Sequence, residues 1–553
     1  MAKQVSFAHR VRYAVDNFLA RGSASLFVAL VSAFLLSIAG LSLMRALLDV
    51  VWPDETRALG EHVWVVFLEL TDPGNMNQDN TSSLAFKLGA AATGMVGVVI
   101  FSTLIAFMTT ALDQAIQSLK RGHTDVLETG HTLILGWTPR VIEILRELAE
   151  AMESEDDPVV VILSEVSKDE MDEQLRHHLR ASGKKMRVVT RSGPTSTMAS
   201  LELVNASEAR SAIVLATCAP FAPESEKLAN DARVIKTVLA LFTHAADGGE
   251  RDMTVVAEVW GERNRKVVRE IAPEQVVVVA VEDILAKIMV QTSRTSGLAV
   301  VYQELLGFAG SEIYFHRADF GGRTFGELQL CFADGVPIGV RKGDGEIVIR
   351  PALDYAFAED DAIIIIAEDD SSIRVLDAPV MKPKKKLQPP RESRVERRQE
   401  KLLVLGWSGK APVILEEYAK YVLPGSSVNV MIRPESEDAI EEIEAIGASI
   451  EGLTITRHVG DPLDRETLER LRPFDHDNVI ILPQDPEEDV APERVDSESI
   501  VVLLQLRAIR KDVEASGHKT RTKIVTEVLE SGNQELVAKA GVDDVIISNR
   551  MVS

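Results

Sequence analysis

The chain has 553 residues, room for three or four domains at about 150 residues each, and at 46% apolar and 26% charged it fits folded material rather than a disordered chain. Its net charge of −24, from 60 Lys and Arg against 84 Asp and Glu, argues against bulk nucleic-acid binding, which needs a basic footprint. The only cysteines, Cys218 and Cys331, exclude a disulfide scaffold and a CxxC zinc site and place most of the mass in a reducing compartment.

Residues 1–22 are a short N-terminal segment carrying Arg10, Arg12 and Arg21. No charge lies between Arg21 and Arg45. As a helix that stretch spans roughly 34 Å at 1.5 Å per residue, enough for a hydrocarbon core of about 30 Å. A transmembrane helix is expected over 23–48. The run exceeds the apolar core of a secretory signal and has no clear cleavage site. A second apolar run between Lys87 and Asp113 predicts another transmembrane helix over 87–120. Lys120, Arg121 and His123 follow it, while Asp49, Asp54, Glu55, Glu61, Glu69, Asp72 and Asp79 lie between the two runs. The positive-inside rule puts both termini in the cytoplasm and the acidic loop, 49–86, outside the cell.

Within that loop Val63, Val66, Phe67 and Leu70 recur at helical spacing. They run into Thr71-Asp72-Pro73-Gly74-Asn75, a tight-turn sequence. Two spans, a half-helix and a polar turn outline the pore of a tetrameric cation channel with a re-entrant loop. The alternative is an external loop with an Asx-Pro turn. In the pore reading Thr71–Asn75 is the selectivity filter and four copies of Asp72 ring its mouth. A cation 4 Å from one carboxylate gains about 4 kcal/mol at an effective dielectric near 20, before desolvation. The TVGYG carbonyl ladder is absent, so potassium and calcium both stay open as permeant ions. Gly94 and Gly97 in the second span serve either as a gate hinge or as close-packing positions.

Beyond residue 120 the pattern changes. HTLILGWTPRVIEILRELAE from His131 matches KLLVLGWSGKAPVILEEYAK from Lys401, 270 residues apart. The echo continues with SAIVLAT (211–217) and NVIILPQ (478–484), then with VVAEV plus Asn264 and IVTEV plus Asn533. Apolar strand runs alternating with helix patterns give βαβ units on a parallel sheet. Two Rossmann-like lobes are expected, at 121–285 and 401–553. Linking helices and a small α+β unit fill 286–380. A basic linker comes next, over 381–400; from Lys382 to Lys401 it carries nine Lys and Arg against three Glu.

Each lobe opens on a degraded dinucleotide fingerprint. Gly136 and Gly406 keep the first glycine, but Trp137, Thr138 and Arg140, or Trp407, Ser408 and Lys410, occupy the rest of the motif. Glu165 ends the second strand, where a ribose-binding acid could sit, and Thr190-Arg191 before Gly193 is echoed by Thr456-Arg457 before Gly460. Gly136, Trp137, Glu165, Arg191, Gly406 and Trp407 are candidate nucleotide or effector residues. The broken fingerprint makes nucleotide the weaker ligand. Two acidic clusters, Glu359-Asp360-Asp361 and Glu368-Asp369-Asp370, form a candidate calcium set, without EF-hand spacing and with solvated turn acids as the alternative.

The chain resembles the CASTOR/POLLUX family of ion channels. The match rests on TDPGN (71–75), LILGW (133–137), RSG (191–193), IVLA (213–216), GLA (297–299), LGF (306–308), IAEDD (366–370) and LGW (405–407). The resemblance implies a homotetrameric cation channel whose cytoplasmic RCK (TrkA-N-like) domains, in tandem, form a gating ring, with calcium as a regulator. A short N-terminus implies a prokaryotic-type member in the plasma membrane. The second lobe lacks a counterpart of residues 285–376, so it is expected to be truncated. Two competing readings are a non-conducting RCK-type subunit of a cation transporter and a membrane-tethered NAD-dependent oxidoreductase. The latter finds no intact fingerprint and no acid–base group.

Overall fold

The computed structural model describes residues 23–51, 58–79, 81–120, 124–153, 155, 157–179, 186–220, 222–246, 253–308, 310–380, 398–434, 437–483 and 492–553. The N-terminal segment 1–22 and most of the basic linker lie outside them. The chain divides into two compact units, Met1–His123 and Thr124–Ser553.

In the first unit, helices α1 (Ser23–Val51) and α3 (Leu84–Lys120) flank a shorter helix, α2 (Leu59–Thr71). Phe27–Val51 and Leu84–Asp113 are long and apolar enough to cross a membrane. Their side chains point outward, with Leu36, Val50, Met95 and Val99 among those left exposed. A water-soluble domain would bury such residues; lipid accommodates them. Phe27 meets Phe107 and Phe34 meets Phe101, with ring centroids 6.5 and 6.2 Å apart, so the two long helices run antiparallel. Helix α2 buries one face, His62, Val65, Val66, Glu69 and Leu70, at the spacing of an amphipathic helix.

Helix α3 is continuous through Gly94 and Gly97, and both glycines are buried. A Cβ at Gly97 would collide with the Leu70 carbonyl oxygen. Close approach of α2 to α3 therefore uses Gly97, and no helix break marks a hinge there.

The second unit holds two six-stranded parallel sheets. The first runs β3-β2-β1-β4-β5-β6, from β1 (Thr132–Leu135), β2 (Val159–Ser164), β3 (Arg187–Ser192), β4 (Ser211–Val214), β5 (Thr254–Glu258) and β6 (Val276–Val279). The sheet is nearly all Val, Ile and Leu at its centre because helices cover both faces. The second sheet repeats the order with strands from Lys401–Leu405 to Asp544–Ile547. Both are doubly wound Rossmann sheets, with the switch point where strand order reverses beside the first strand. The expected duplication is thus a fold duplication.

Between them in sequence, β7 (Glu312–His316), β8 (Gly335–Arg341), β9 (Ile347–Ile349) and β10 (Ala362–Ala367) form a four-stranded antiparallel sheet in the order β7-β10-β8-β9. Phe320, Phe325, Phe357 and Ile363 form its core. Helix α4 (Val281–Arg294) comes directly after the first sheet. Its Leu285, Ile288 and Met289 share a core with Trp407, Ile414, Leu415 and Tyr418 of the second lobe. The linking segment expected from 286 onward therefore begins as core of the second lobe. Amphipathic spacing reveals a buried face but not which lobe buries it.

Candidate functional site

Helix α2 ends at Thr71 because the next residues turn its last carbonyls inward. Asp72 is extended (φ −141°, ψ 104°), and its N–H donates to the Leu68 carbonyl at 2.8 Å. The Thr71 hydroxyl donates to Phe67 and Leu68 carbonyls at 2.9 and 3.1 Å. Asn75 closes the turn: its N–H donates to the Asp72 carbonyl at 3.0 Å and its side-chain amide to the Leu68 carbonyl at 3.3 Å. Asp72 Oδ1 accepts the Gly74 N–H at 2.8 Å, an Asx turn. Pro73 opens a 3-10 turn that runs through Asp79. The five expected filter residues thus form one closed polar turn at a helix C-terminus. That end carries the negative pole of the helix dipole, the sign that favours a cation.

Behind this turn lie charged residues that sequence reasoning misses. The Arg45 guanidinium in α1 donates to both carboxylate oxygens of Glu69 in α2, at 3.1 and 3.2 Å. Their side chains are 5% and 0% exposed. Arg45 also lies over the Phe86 ring, 5.5 Å from its centroid. One turn further along α1, Asp49 sits 3.5 Å from the imidazole of His62. In sequence Arg45 marks only the end of an apolar run, and Asp49 and Glu69 are two acids among seven in a loop. The available signal is their placement: His62 and Glu69 stand on the apolar face of α2, seven residues apart.

In the second unit the candidate ligand crevices are filled by the chain itself. Gly136 (φ +115°) and Gly406 (φ +97°) each turn out of the first strand of a lobe. A Cβ at Gly136 would meet Thr217 at 3.1 Å, and one at Gly406 would collide with the Leu482 carbonyl. Four residues on, Arg140 pairs with both oxygens of Glu258 at 2.6 and 2.7 Å, and both side chains are buried. Glu258 also accepts the Ala216 N–H at 3.0 Å. Lys410 makes the equivalent buried pair with Glu527 at 2.8 Å, and Ser548 hydrogen-bonds the same Glu527 oxygen. A pyrophosphate would have to approach this helix start, where each lobe instead holds its own carboxylate against its one basic side chain. The residues present do not fit a dinucleotide.

The other candidates serve the framework. Trp137 Nε1 donates to Gln174 at 3.2 Å, and Trp407 Nε1 to Glu442 at 2.8 Å. Arg191 donates to the Thr124 and Thr190 carbonyls at 2.6 and 2.8 Å. Burial lowers its pKa against the pull of Glu128, Asp172 and Asp125. Glu165 is exposed beyond β2.

The calcium set is corrected. Among the described residues no group of three or more His, Cys, Asp or Glu is placed to hold a metal. Asp361 is 3% exposed and accepts from Tyr355 Oη at 2.7 Å, Ala358 N at 2.9 Å and Gly343 N at 3.1 Å. Desolvation pushes its pKa up, but these donors together with Lys342 leave it below the usual range. Asp369 Oδ1 accepts the Ser371 N–H at 2.8 Å. Glu359, Asp360, Glu368 and Asp370 face solvent. Two of the six acids cap turns and the other four are exposed, so the set does not converge.

Comparison with known proteins finds ion channels. A family profile described as "Castor and Pollux, part of voltage-gated ion channel" matches residues 282–382. The "Probable ion channel CASTOR" of Oryza sativa subsp. japonica is 27% identical over 584 residues, covering all of this chain and 62% of its own length. The "Ion channel DMI1" of Medicago truncatula is also 27% identical, covering all of this chain and 63% of its own. The chain spans about three fifths of the length of these relatives. Among solved structures, the human SLO3 gating ring aligns over 74% of this chain and 76% of its own, at 15% identity and a TM-score of 0.49.

Proposed function

This chain belongs to the CASTOR/POLLUX family, whose named members are ion channels rather than enzymes, and from that premise we propose that four copies form a cation channel of the plasma membrane. Both termini lie in the cytoplasm. Thr71, Asp72, Pro73, Gly74 and Asn75 line the filter, and α2 is a re-entrant pore helix. The tandem Rossmann lobes act as RCK domains in a cytoplasmic ring whose rearrangement on effector binding opens the pore.

One observation carries this reading. Helix α2 and its polar turn are packed between two membrane-length helices, held by buried ion pairs and by the Gly97 contact. A loose external loop has no need of buried charge. Non-helical backbone at membrane depth is tolerated where protein packs against it or water wets it. The filled crevices of both lobes speak against the oxidoreductase alternative.

The test is single-channel recording of the purified full chain in planar bilayers with mixed potassium and calcium. Cation current is expected, and the reversal potential identifies the permeant ion. Asp72→Asn should lower cation conductance at least about tenfold, roughly a third of the gross 4 kcal/mol attraction at 4 Å. Absence of current under all ions and effectors would leave the non-conducting regulatory subunit as the better reading.

A further inference from the structure

Helix α3 ends at Lys120 and strand β1 begins at Thr132. Between them residues 124–130 are neither helix nor strand, yet every second one is fastened to the first lobe. The Thr124 carbonyl accepts from Arg191 Nε at 2.6 Å. The Val126 N–H donates to the Leu203 carbonyl at 2.8 Å, and the Val126 side chain is buried in the core of the lobe with Leu133, Leu201 and Val204. The Glu128 carbonyl accepts from the Asn205 side-chain amide at 2.9 Å, and the Glu128 carboxylate pairs with Arg187 at 2.6 Å. The Gly130 N–H donates to the Glu208 carbonyl at 2.7 Å. Contacts at alternate residues are those of an extended chain lying on a surface.

Two of the fasteners, Arg191 and Asn205, are side chains that hold backbone carbonyls. Arg191 stands on β3. Asn205 takes the left-handed conformation, φ +50°, between the helix Met198–Leu203 and the turn Ala206–Glu208, a conformation that Asn adopts more readily than most residues. Chain length shows what the fastening changes. Thr124 is four residues beyond Lys120, and extended chain of that length spans at most about 14 Å. Fastened only at Thr132, twelve residues on, the tether would reach about 40 Å. The shorter the tether, the smaller the lobe movement that draws it taut. Coupling is carried by such contiguous contacts. We infer that residues 124–130 form a coupling strap and that Arg191 and Asn205 are positioning residues for gating: by fastening the strap they shorten the chain through which a movement of the first lobe pulls on the second membrane helix. This deepens the channel reading above and rests on it.

Two kinds of variant lengthen the free chain. Asn205→Gly keeps the left-handed backbone and removes the amide. Together with Arg191→Leu it frees both carbonyls and should speed hydrogen exchange at the Val126 and Gly130 N–H groups at least about tenfold, the weight of a hydrogen bond from a charged donor. Three glycines inserted between Gly122 and His123 add about 10 Å of tether and leave every fastener in place. Both variants should shift open probability in the same direction with unitary conductance unchanged, because both relax the same pull and neither alters residues 71–75. A strap that only covers the lobe would make the insertion silent.

The experiment records single channels of the full chain in planar bilayers, with hydrogen exchange of residues 124–130 on the same proteins. Shifts of open probability in one direction, in Arg191→Leu with Asn205→Gly and in the insertion, support the inference. Opposite shifts, a silent insertion, altered unitary conductance, or faster exchange without a shift overturn it. Unchanged exchange in the double variant also overturns it, since the two side chains are then not fasteners. If the double variant fails to fold, the insertion decides alone: a shift supports the inference and no shift overturns it. A wild-type chain that passes no current refutes the pore reading and this inference with it, whereas a conducting wild type with unresponsive variants refutes the inference alone.

Discussion

The two Rossmann lobes solve one problem with different chemistry. Both place a basic residue at the start of the first helix and a glutamate at the end of the fifth strand, buried against each other at the switch point of the sheet. Both also bury an aspartate that accepts two backbone N–H groups and an asparagine amide just beyond that strand. Asp231 binds Trp260, Gly261 and Asn264; Asp496 binds Leu529, Glu530 and Asn533. In the first lobe the cation is arginine and both oxygens of its glutamate are engaged. In the second it is lysine, and one Glu527 oxygen has no hydrogen-bond partner. A duplicated fold has therefore kept a buried ion pair where an enzyme of this topology would keep an open crevice. The pair ties the start of the first helix to the fifth strand.

The sharpest way to break the comparison is to remove the acid from each pair. Removing one partner of a buried ion pair typically costs about 3–5 kcal/mol. Glu258→Leu strands Arg140, which cannot shed its proton, and should reach that range. Glu527→Leu takes the buried carboxylate away from Lys410, which can deprotonate when buried, so about 2–3 kcal/mol is expected there. Hydrogen exchange of the full chain, read separately for each lobe, checks both. Equal losses would mean that the choice of arginine or lysine has no energetic meaning.

The opening glycines should rank the other way. Alanine at either position carries a left-handed penalty of about 1–2 kcal/mol. At Gly136 the new methyl meets Thr217 at 3.1 Å and the Leu215 side chain and carbonyl at 3.3 Å, contacts that shifts of a few tenths of an ångström relieve. At Gly406 it overlaps the Leu482 backbone carbonyl at 2.4 Å, directly after the strand Asn478–Ile481. Overpacking adds about 1–3 kcal/mol, so Gly406→Ala should cost about 3 kcal/mol and Gly136→Ala about 2. A first lobe weakened as much as the second would show that a tight contact and an overlap are equivalent here.

Much of this frame is legible in the sequence, for physical reasons. LILGW and LLVLGW mark strand exits because a glycine at positive φ must follow the strand, and VVAEV and IVTEV repeat because each supplies the fifth strand of its sheet. The glutamates of those motifs carry the pairs with Arg140 and Lys410, yet spacing alone does not say which basic residue a glutamate meets more than a hundred residues away. Arg45 and Glu69 escape notice for the same reason: they lie on different helices, and only packing brings them together. The acidic clusters mislead in the opposite direction. Adjacent carboxylates in a chain alternate in direction or cap turns, as Asp361 and Asp369 do, so density in sequence is not density in space.

A smaller contrast lies in the two tryptophans. Trp407 is 5% exposed and donates to a carboxylate, whereas Trp137 is less buried and donates to a neutral amide. Bonds to charged groups contribute more than neutral ones, though here both acceptors face solvent. Trp407→Phe should cost about 1 kcal/mol and Trp137→Phe about 0.5, by the same exchange measurement. A larger loss in the first lobe would contradict the ordering.

The finest distinction concerns pH in the second lobe. Burial raises the Asp496 pKa above the ordinary 3.8, the N–H groups of Leu529 and Glu530 and the Asn533 amide oppose it, and the charge of Glu527 adds to it. Burial also raises Asp544, which accepts from Gly297. For an acid raised on folding, the folded state binds more protons than the unfolded one. The contribution is then fully present below pH 3.8 and is lost as pH rises through the folded pKa. Second-lobe stability should therefore fall across that window in the wild type. Asp496→Asn should flatten part of the slope and leave the remainder to Asp544. An unchanged slope in Asp496→Asn would assign the whole dependence to Asp544 and would make the capping aspartate a neutral bystander to titration.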